Sequence, residues 1–594
     1  MKKSLLWLTL FFLVSNLFSQ SQEKYFRFTI SDKSDLDNLT RIISIDNVVK
    51  DTVYAYANQQ EWAKFLELSY SYQILPNPGT LYEHSMGSTL AELRDWNTYP
   101  TYDAYLAMMQ QYAALYPSLC RVDTFGYSVQ GRLLLCLVIS DNVNVEETEP
   151  EFMYTSSMHG DELVGYVLLL RLADYLLTNY GEVTTPEGRQ VTRLVNEMEI
   201  WINPLFNPDG TFHGGNNTVT GATRFNANGV DLNRNFPDRI YDPNNSPFGR
   251  QPETQAMMAL AQAQQFILSA NFHGGAQVVN YPWDNGAPSG SYSMCPDDAW
   301  YIALSRDYAA TNPDLLGGGF PLGITNGCAW YSVEGGRQDW MYFFEGGREV
   351  TIELYTSKTP PGSALPQRWE NNQQSFLSYL DYALHGIRGV VSDASNGLPI
   401  EAQIDVIGIP GVPVYSDSDL GDFYRLILPG TYDLIISAPH YLSDTLYNVV
   451  VVDSPMTEVD VALQPEDKGT VSGVVYLSDT TSNSNITVSI ENQTAQTNIN
   501  GFFLLNDIFH GNIRIAFSKA GYSPVALDTT LAANDTLWIE ATLTPTSKKI
   551  LIVDDDTGER SYFSEAADKN KSLTTRIEQR GASGALFESV LNYW

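Results

Sequence analysis

His159 and Glu162 stand with two residues between them in Ser157-Met-His-Gly-Asp-Glu162, and His273 follows in Asn271-Phe-His-Gly-Gly275. An imidazole and a carboxylate at that spacing can turn toward one point. Alone the pair is a weak signal, because chance His and Glu pairs are common. The later histidine strengthens it, since both segments sit where an apolar, strand-like run ends. Two imidazoles and one carboxylate are the ligand set of a catalytic zinc that keeps one position open for water. One Zn²⁺ per chain is therefore the expected cofactor. The four cysteines have no CxxC or zinc-ribbon spacing, so no thiol metal site is expected.

Strand ends must position these groups. Residues 133–140, 152–156, 198–203, 266–271 and 350–354 read as buried strands, and 163–177 as a strongly apolar helix between two of them. From about Trp96 to His385 strands alternate with helices. That alternation predicts an α/β domain with helices on both faces of a sheet and a site at the strand ends. Before it, residues 21–90 mix alternating runs (25–30, 53–56) with a helical one (60–68), as a small α+β unit would. Pro76, Pro78 and Gly79 mark a linker. Beyond Gly386 the chain turns all-β and repeats itself. Gly386-Ile-Arg-Gly-Val-Val391 is echoed by Gly469-Thr-Val-Ser-Gly-Val-Val475, and Gly421-Asp-Phe-Tyr424 by Asn500-Gly-Phe-Phe503. Two β-sandwich modules are expected, at 386–466 and 467–546. Residues 547–594 begin with the strand-like Ile550-Leu-Ile-Val553, and a helix is expected near Ser561; they carry no assigned function.

The formal net charge of −34 in 594 residues repels nucleic acid and anionic membranes, so neither is an expected partner, and it attracts cationic peptides. Lys2 and Lys3 precede the apolar run Leu5 to Val14, the layout of a secretory signal peptide over residues 1–20. That run is too short to span a bilayer comfortably, and no later stretch is long and apolar enough. An exported protein, secreted or periplasmic, and monomeric, is expected. Cys120 and Cys136 flank the turn at 126–132 at nearly equal distances, so a disulfide and two separate buried thiols are both open readings.

A long segment, Thr223-Arg-Phe-Asn-Ala-Asn-Gly-Val-Asp-Leu-Asn-Arg-Asn-Phe-Pro-Asp238, narrows the reading. With Asn203-Pro-Leu-Phe-Asn-Pro-Asp-Gly210, Gly335-Gly-Arg-Gln-Asp-Trp340 and Thr351-Ile-Glu-Leu354, it resembles the zinc metallocarboxypeptidases. The branch it most resembles contains carboxypeptidases N, E, M and D, and the resemblance runs from about Tyr99 to His385. It implies a mixed central β-sheet with helices on both faces, and a hydrolase that removes the C-terminal residue of peptides and proteins. Position by position, it implies that His159, Glu162 and His273 hold the zinc and that Asp231 orients His159. Asn233 and Arg234 would bind the substrate's terminal carboxylate, and Arg224 would stabilise the oxyanion. Glu353 would be the general base toward the zinc-bound water, and Tyr331 a tyrosine that closes over substrate. Asp284 and Gln338 fall where this branch receives a basic side chain, so Lys or Arg is the expected residue removed. Arg337, just before Gln338, is expected to face solvent. The first β module resembles the transthyretin-like companion domain of the branch, and the module after it resembles a diverged copy. The N-terminal unit is similar to the inhibitory pro-segment of other family members. Competing readings are a non-catalytic, peptide-binding or adhesive relative and a zinc hydrolase acting on cell-wall peptides.

Overall fold

The computed structural model describes residues 23–409 and 411–546 in full, with the backbone of 551–553 and 560–562. The expected signal segment and most of 547–594 lie outside the described residues. The chain divides into two compact units, Met1–Pro439 with Ser443–Leu463, and His440–Leu442 with Gln464–Trp594.

The first unit is built on an eight-stranded sheet. Its order is Ile324–Asn326, Val278–Tyr281, Arg348–Glu353, Leu268–His273, Glu151–Ser156, Glu199–Asn203, Leu133–Ile139 and Cys120–Tyr127. The four middle strands, from Arg348–Glu353 to Glu199–Asn203, run parallel. Antiparallel strands flank them on both sides, so the sheet is mixed. Residues alternate between two cores with the period of a strand. Phe152, Tyr154, Ile200 and Ile202 face the larger core with Tyr105, Leu168, Leu304 and Phe376 of the helices Tyr102–Leu115, Val164–Asn179, Asp298–Ala310 and Leu365–Asp381. Met153 and Trp201 face the other core with Met257, Met258, Trp340 and Met341 of Pro252–Gln264 and Arg337–Phe344. Helices thus cover both faces, and the strand Glu151–Ser156 is buried at every position but its first. The helix Val164–Asn179 is apolar nearly all round because it is buried nearly all round.

The N-terminal unit is a four-stranded sheet, in the order Ser44–Val49, Thr52–Ala57, Lys24–Thr29 and Tyr72–Leu75, with the helix Gln59–Glu67. Asn58 starts that helix with a capping box closed by Glu61. Its core of Phe26, Phe28, Ile45 and Phe65 is continuous with Val278, Trp330 and Tyr331 of the large domain.

Two sandwiches follow, one in each unit. In the first, Asp422–Arg425, Ile387–Asp393 and Thr457–Glu458 form one sheet, with Val461–Leu463 also on Ile387–Asp393. Val414–Tyr415, Gln403–Val406, Gly430–Ser437 and Asp444–Val451 form the other. The next module repeats both orders, with Phe502–Phe509, Lys468–Leu477, Thr536–Leu543 and then Gln493–Gln496, Thr487–Ile490, Gly511–Ser518, Val525–Leu531. The sequence echo has a physical basis at Gly389 and Gly473. A Cβ on either would lie 1.8 Å from a carbonyl oxygen of the neighbouring chain segment, at Val459 and Ile539 respectively. Residues 560–562 form a strand paired with Leu551–Val553, which corrects the helix expected near Ser561.

The two readings of Cys120 and Cys136 are resolved by register. Cys120 lies opposite Ile139 and Cys136 opposite Asp123, with a register shift between Thr124 and Gly126, so neither thiol faces the other and both are free and buried. Among the described residues no helix is long and apolar enough to cross a membrane.

Candidate functional site

The ends of the parallel strands assemble the site. Glu353 and His273 are register partners on neighbouring strands, so the pairing itself sets them side by side. Glu151–Ser156 ends one strand further along and leads into the turn that carries His159 and Glu162. Gly160 is required in that turn. A Cβ there would lie 2.4 Å from the Gly210 carbonyl carbon, because the two loops pack backbone on backbone.

His159 Nδ1 lies 3.0 Å from Glu162 Oε1, and His273 Nδ1 2.9 Å from Glu162 Oε2. The two ring nitrogens are 3.0 Å from each other. All three side chains are buried. Two imidazole nitrogens aimed at each other and at one carboxylate make few good hydrogen bonds, and Glu162 Oε2 has none that is well directed. That donor set fits a zinc ion. The outer ring nitrogens are held by the protein. His159 Nε2 is 3.1 Å from Asp231 Oδ1, and His273 Nε2 is 2.8 Å from the Asn271 amide. Burial pushes the His273 imidazole down to about 4, which favours the neutral, ligating form. Burial alone would raise the Glu162 carboxyl, but His159, Lys358 and His273 hold it well below its usual range. Burial, then the Glu162 charge, raises Glu353 well above its ordinary value, and Glu353 Oε2 is buried without a partner.

Arg224 is buried with its guanidinium on Asp231, Glu162 and Asp46 at 3.2–3.3 Å. Asn233 and Arg234 lie half-buried on the turn Leu232–Arg234, which Asp231 caps by accepting from the Asn233 N–H. Asn233 Oδ1 accepts from the Arg337 N–H at 2.9 Å, so its amide NH₂ is free to face the cleft as a donor. The N-terminal unit fills this cleft. Arg234 donates to the Ile45 carbonyl at 3.1 Å and Tyr331 to the Asp46 carbonyl at 3.3 Å. Ser44 lies between Arg224 and Asp231, donating to Asp231 Oδ2 at 2.5 Å and accepting from Arg224 Nε at 2.7 Å. Asp46 Oδ1 accepts from Lys358 Nζ at 2.5 Å.

Asp284 is buried and accepts from Gln338 Nε2 at 3.0 Å, while Gln338 Oε1 accepts from the Thr351 N–H at 2.7 Å and fixes that amide's orientation. Arg337 does not face solvent. It is fully buried under the sheet, 2.8 Å from Glu349, and also donates to Thr155 Oγ1. The reason is that Glu349 points into the same core from the adjacent strand, so the guanidinium is satisfied there and does not neutralise Asp284.

The sequence reading missed Lys358, Asn271 and Asp46. Lys358 Nζ is 2.7 Å from Glu162 Oε1, yet a lone lysine in a loop carries no signal. Asn271 had one, since it precedes His273 by two residues and shares its strand face.

A family model described as zinc carboxypeptidase matches residues 105–375. Carboxypeptidase D of Anas platyrhynchos is 43% identical over 361 residues, 58% of this chain and 25% of that protein. Carboxypeptidase M of Mus musculus is 37% identical over 347 residues, 56% of this chain and 76% of that protein. The chain spans about a quarter of the length of the curated carboxypeptidase D relatives it matches. Among solved structures, carboxypeptidase A from Helicoverpa armigera aligns with a TM-score of 0.46 at 16% identity, over 61% of this chain and 97% of that one.

Proposed function

The chain belongs to the zinc carboxypeptidase family, and we propose that it is an exported enzyme that removes C-terminal residues from peptides, preferring Lys or Arg. The observation that carries this reading is the register pairing of Glu353 with His273 beside the convergent His159 and Glu162. A zinc ion held by His159, Glu162 and His273 would supply a Lewis acid for the scissile carbonyl and for water. Arg234 and the Asn233 amide bind the terminal carboxylate, which restricts the enzyme to chain ends. Arg224 offsets negative charge as it grows on the carbonyl oxygen. Glu353 takes a proton from the attacking water and gives it to the leaving amine. Tyr331 shields the bound residue from solvent.

Asp284, buried and fixed by Gln338, supports the basic preference, because an apolar side chain would leave that carboxylate unpaired. Residues 23–88 act as an inhibitory pro-segment. In support, the strand Ser44–Val49 takes up the hydrogen bonds of Arg234, Tyr331 and Arg224 that a substrate would use. The basic, then apolar N-terminus supports export, and the first β module serves as a transthyretin-like companion domain.

The test compares otherwise identical peptides ending in Arg, Lys, Leu, Phe or Glu, each as free acid and as amide, with D284A alongside. Cleavage of Arg and Lys acids, near-loss of cleavage on amidation, and loss of the basic preference in D284A are expected. Equal cleavage of acid and amide, or a parent enzyme that favours Leu, would refute the assignment.

A further inference from the structure

The specificity pocket holds more negative charge than its reading as a single-carboxylate site requires. Asp339, on the helix Arg337–Phe344, is buried and accepts from the Asp284 N–H with both carboxylate oxygens, each at 3.0 Å. It therefore fixes the backbone from which the Asp284 side chain projects. The Asp284 carboxylate is confined as well. A Cβ on Gly327 would lie 1.9 Å from its Oδ1 and one on Gly336 3.4 Å from its Oδ2, and Asn280 donates to Oδ1 at 3.3 Å. The Asp339 carboxylate and the Asp284 backbone are thus fixed to each other.

Charge around the pair does not balance. Asp238 is a third carboxylate, but its oxygens are engaged by the N–H groups of Ile240, Tyr241 and Gly335 and by the Asn285 amide. Arg239 is the cation beside the pair. Its guanidinium stacks on Trp283 at 4.2 Å, donates to the Asn285 carbonyl, and comes only to 3.8 Å from Asp339. The Arg234 charge also acts on Asp284, but under the proposed function Arg234 is engaged by the substrate carboxylate. The Cys328 and Cys295 thiols nearby are pushed up by burial and stay neutral. Apart from Arg234, three carboxylates thus stand beside a single cation, an imbalance that one more positive charge would offset.

We propose that Asp339 is a second carboxylate of the specificity pocket, positioning Asp284 and holding one proton jointly with it, so that a basic side chain enters as that proton leaves to solvent. The proposal rests on the reading that this pocket receives Lys or Arg. Burial and the neighbouring acids support it, since together they raise Asp284 to about 7 and Asp339 well above the usual carboxylate range. The exchange balances: one cation enters, one proton is released, and the buried charge is unchanged.

The test uses the processed, zinc-loaded enzyme and two peptides that differ only in a terminal Arg or Leu, with kcat/KM measured from pH 5.5 to 9. The Arg-to-Leu ratio cancels protons taken up by the catalytic groups common to both. In the parent this ratio should fall about tenfold per pH unit on the acid side of the pair's apparent pKa. D339N, which keeps an acceptor for the Asp284 N–H but removes a charge, should move that fall at least one unit toward acid. R239Q, which removes the balancing cation, should move it toward alkali and serves if D339N does not fold. A purely structural role for Asp339 would change the ratio's level but not the position of its fall. A ratio independent of pH, or one whose fall stays put in both variants, overturns the shared proton. A parent that prefers Leu at every pH overturns the pocket reading itself, and this proposal with it.

Discussion

Neutralising Asp46 should wake the unprocessed enzyme. Asp46 is buried between Lys358 at 2.5 Å and Arg224 at 3.3 Å, and its other oxygen accepts from Tyr25 at 3.2 Å. Breaking a buried pair by removing one partner costs about 3–5 kcal/mol when the other charge is left uncompensated. Here both cations keep Glu162, and Arg224 keeps Asp231 as well, so the loss in D46N should be smaller, about 2–3 kcal/mol. The penalty falls only on the closed state, because water solvates both cations once the N-terminal unit lifts away. At 1.4 kcal/mol per factor of ten, the open population should rise about 30- to 140-fold, up to the ceiling set by the processed enzyme. The assay is the initial rate on a peptide ending in Arg, with mass spectrometry confirming an intact N-terminus. D51N, on an exposed aspartate of the same unit, is the control and should change nothing. Cleavage at the exposed residues 80–83 of the linker should bring parent and D46N to the same rate. If the unprocessed parent already runs at the processed rate, the N-terminal unit is not an inhibitor; if D46N stays silent while intact, the Asp46 carboxylate is not what holds the unit closed.

How far the sequence reveals this site depends on whether a contact is local. His159, Glu162, His273 and Glu353 are legible because each ends or follows an apolar strand, and strand ends in an open α/β sheet converge by topology. The β repeats are legible because the same glycines meet the same carbonyls in both modules. Other features lack a local signature. Asp46 meets Lys358 across 312 residues, and nothing in Ser44-Ile-Asp46 separates a cleft-filling strand from a solvated one. Arg337 reads as surface charge until Glu349, twelve residues on, is placed beneath it by the sheet. The nearly equal distances of Cys120 and Cys136 from their turn suggest opposition, but the strand register sets Cys120 opposite Ile139, three residues beyond Cys136. In each of these cases the deciding interaction is set by register or by packing of distant elements, which residue type alone does not encode.

Two further perturbations separate catalysis from scaffolding. Glu353→Gln keeps the volume but removes the proton acceptor, so kcat should fall about 10²-fold or more with zinc content unchanged; near-normal turnover would make another group the base. Metal removal should abolish activity yet leave a folded protein. Without the ion Glu162 still pairs with Lys358 at 2.7 Å and Arg224 at 3.3 Å, and the cores on both sides of the sheet do not involve the ligands. The ion should nevertheless stabilise, because it binds the folded state alone. At free zinc about a thousandfold above Kd the gain is about 4 kcal/mol. At about 2–4 °C per kcal/mol for a domain of this class, the melting temperature should drop roughly 8–16 °C on chelation and recover with one equivalent of zinc. The acidic trio Asp141, Glu147 and Glu149 could also collect zinc, so stoichiometry alone is ambiguous. H273A resolves it, since that variant should lose the zinc-dependent shift while the trio stays intact. A shift that persists in H273A would place the functional ion elsewhere, and activity in a verified metal-free preparation would show that the reaction needs no ion.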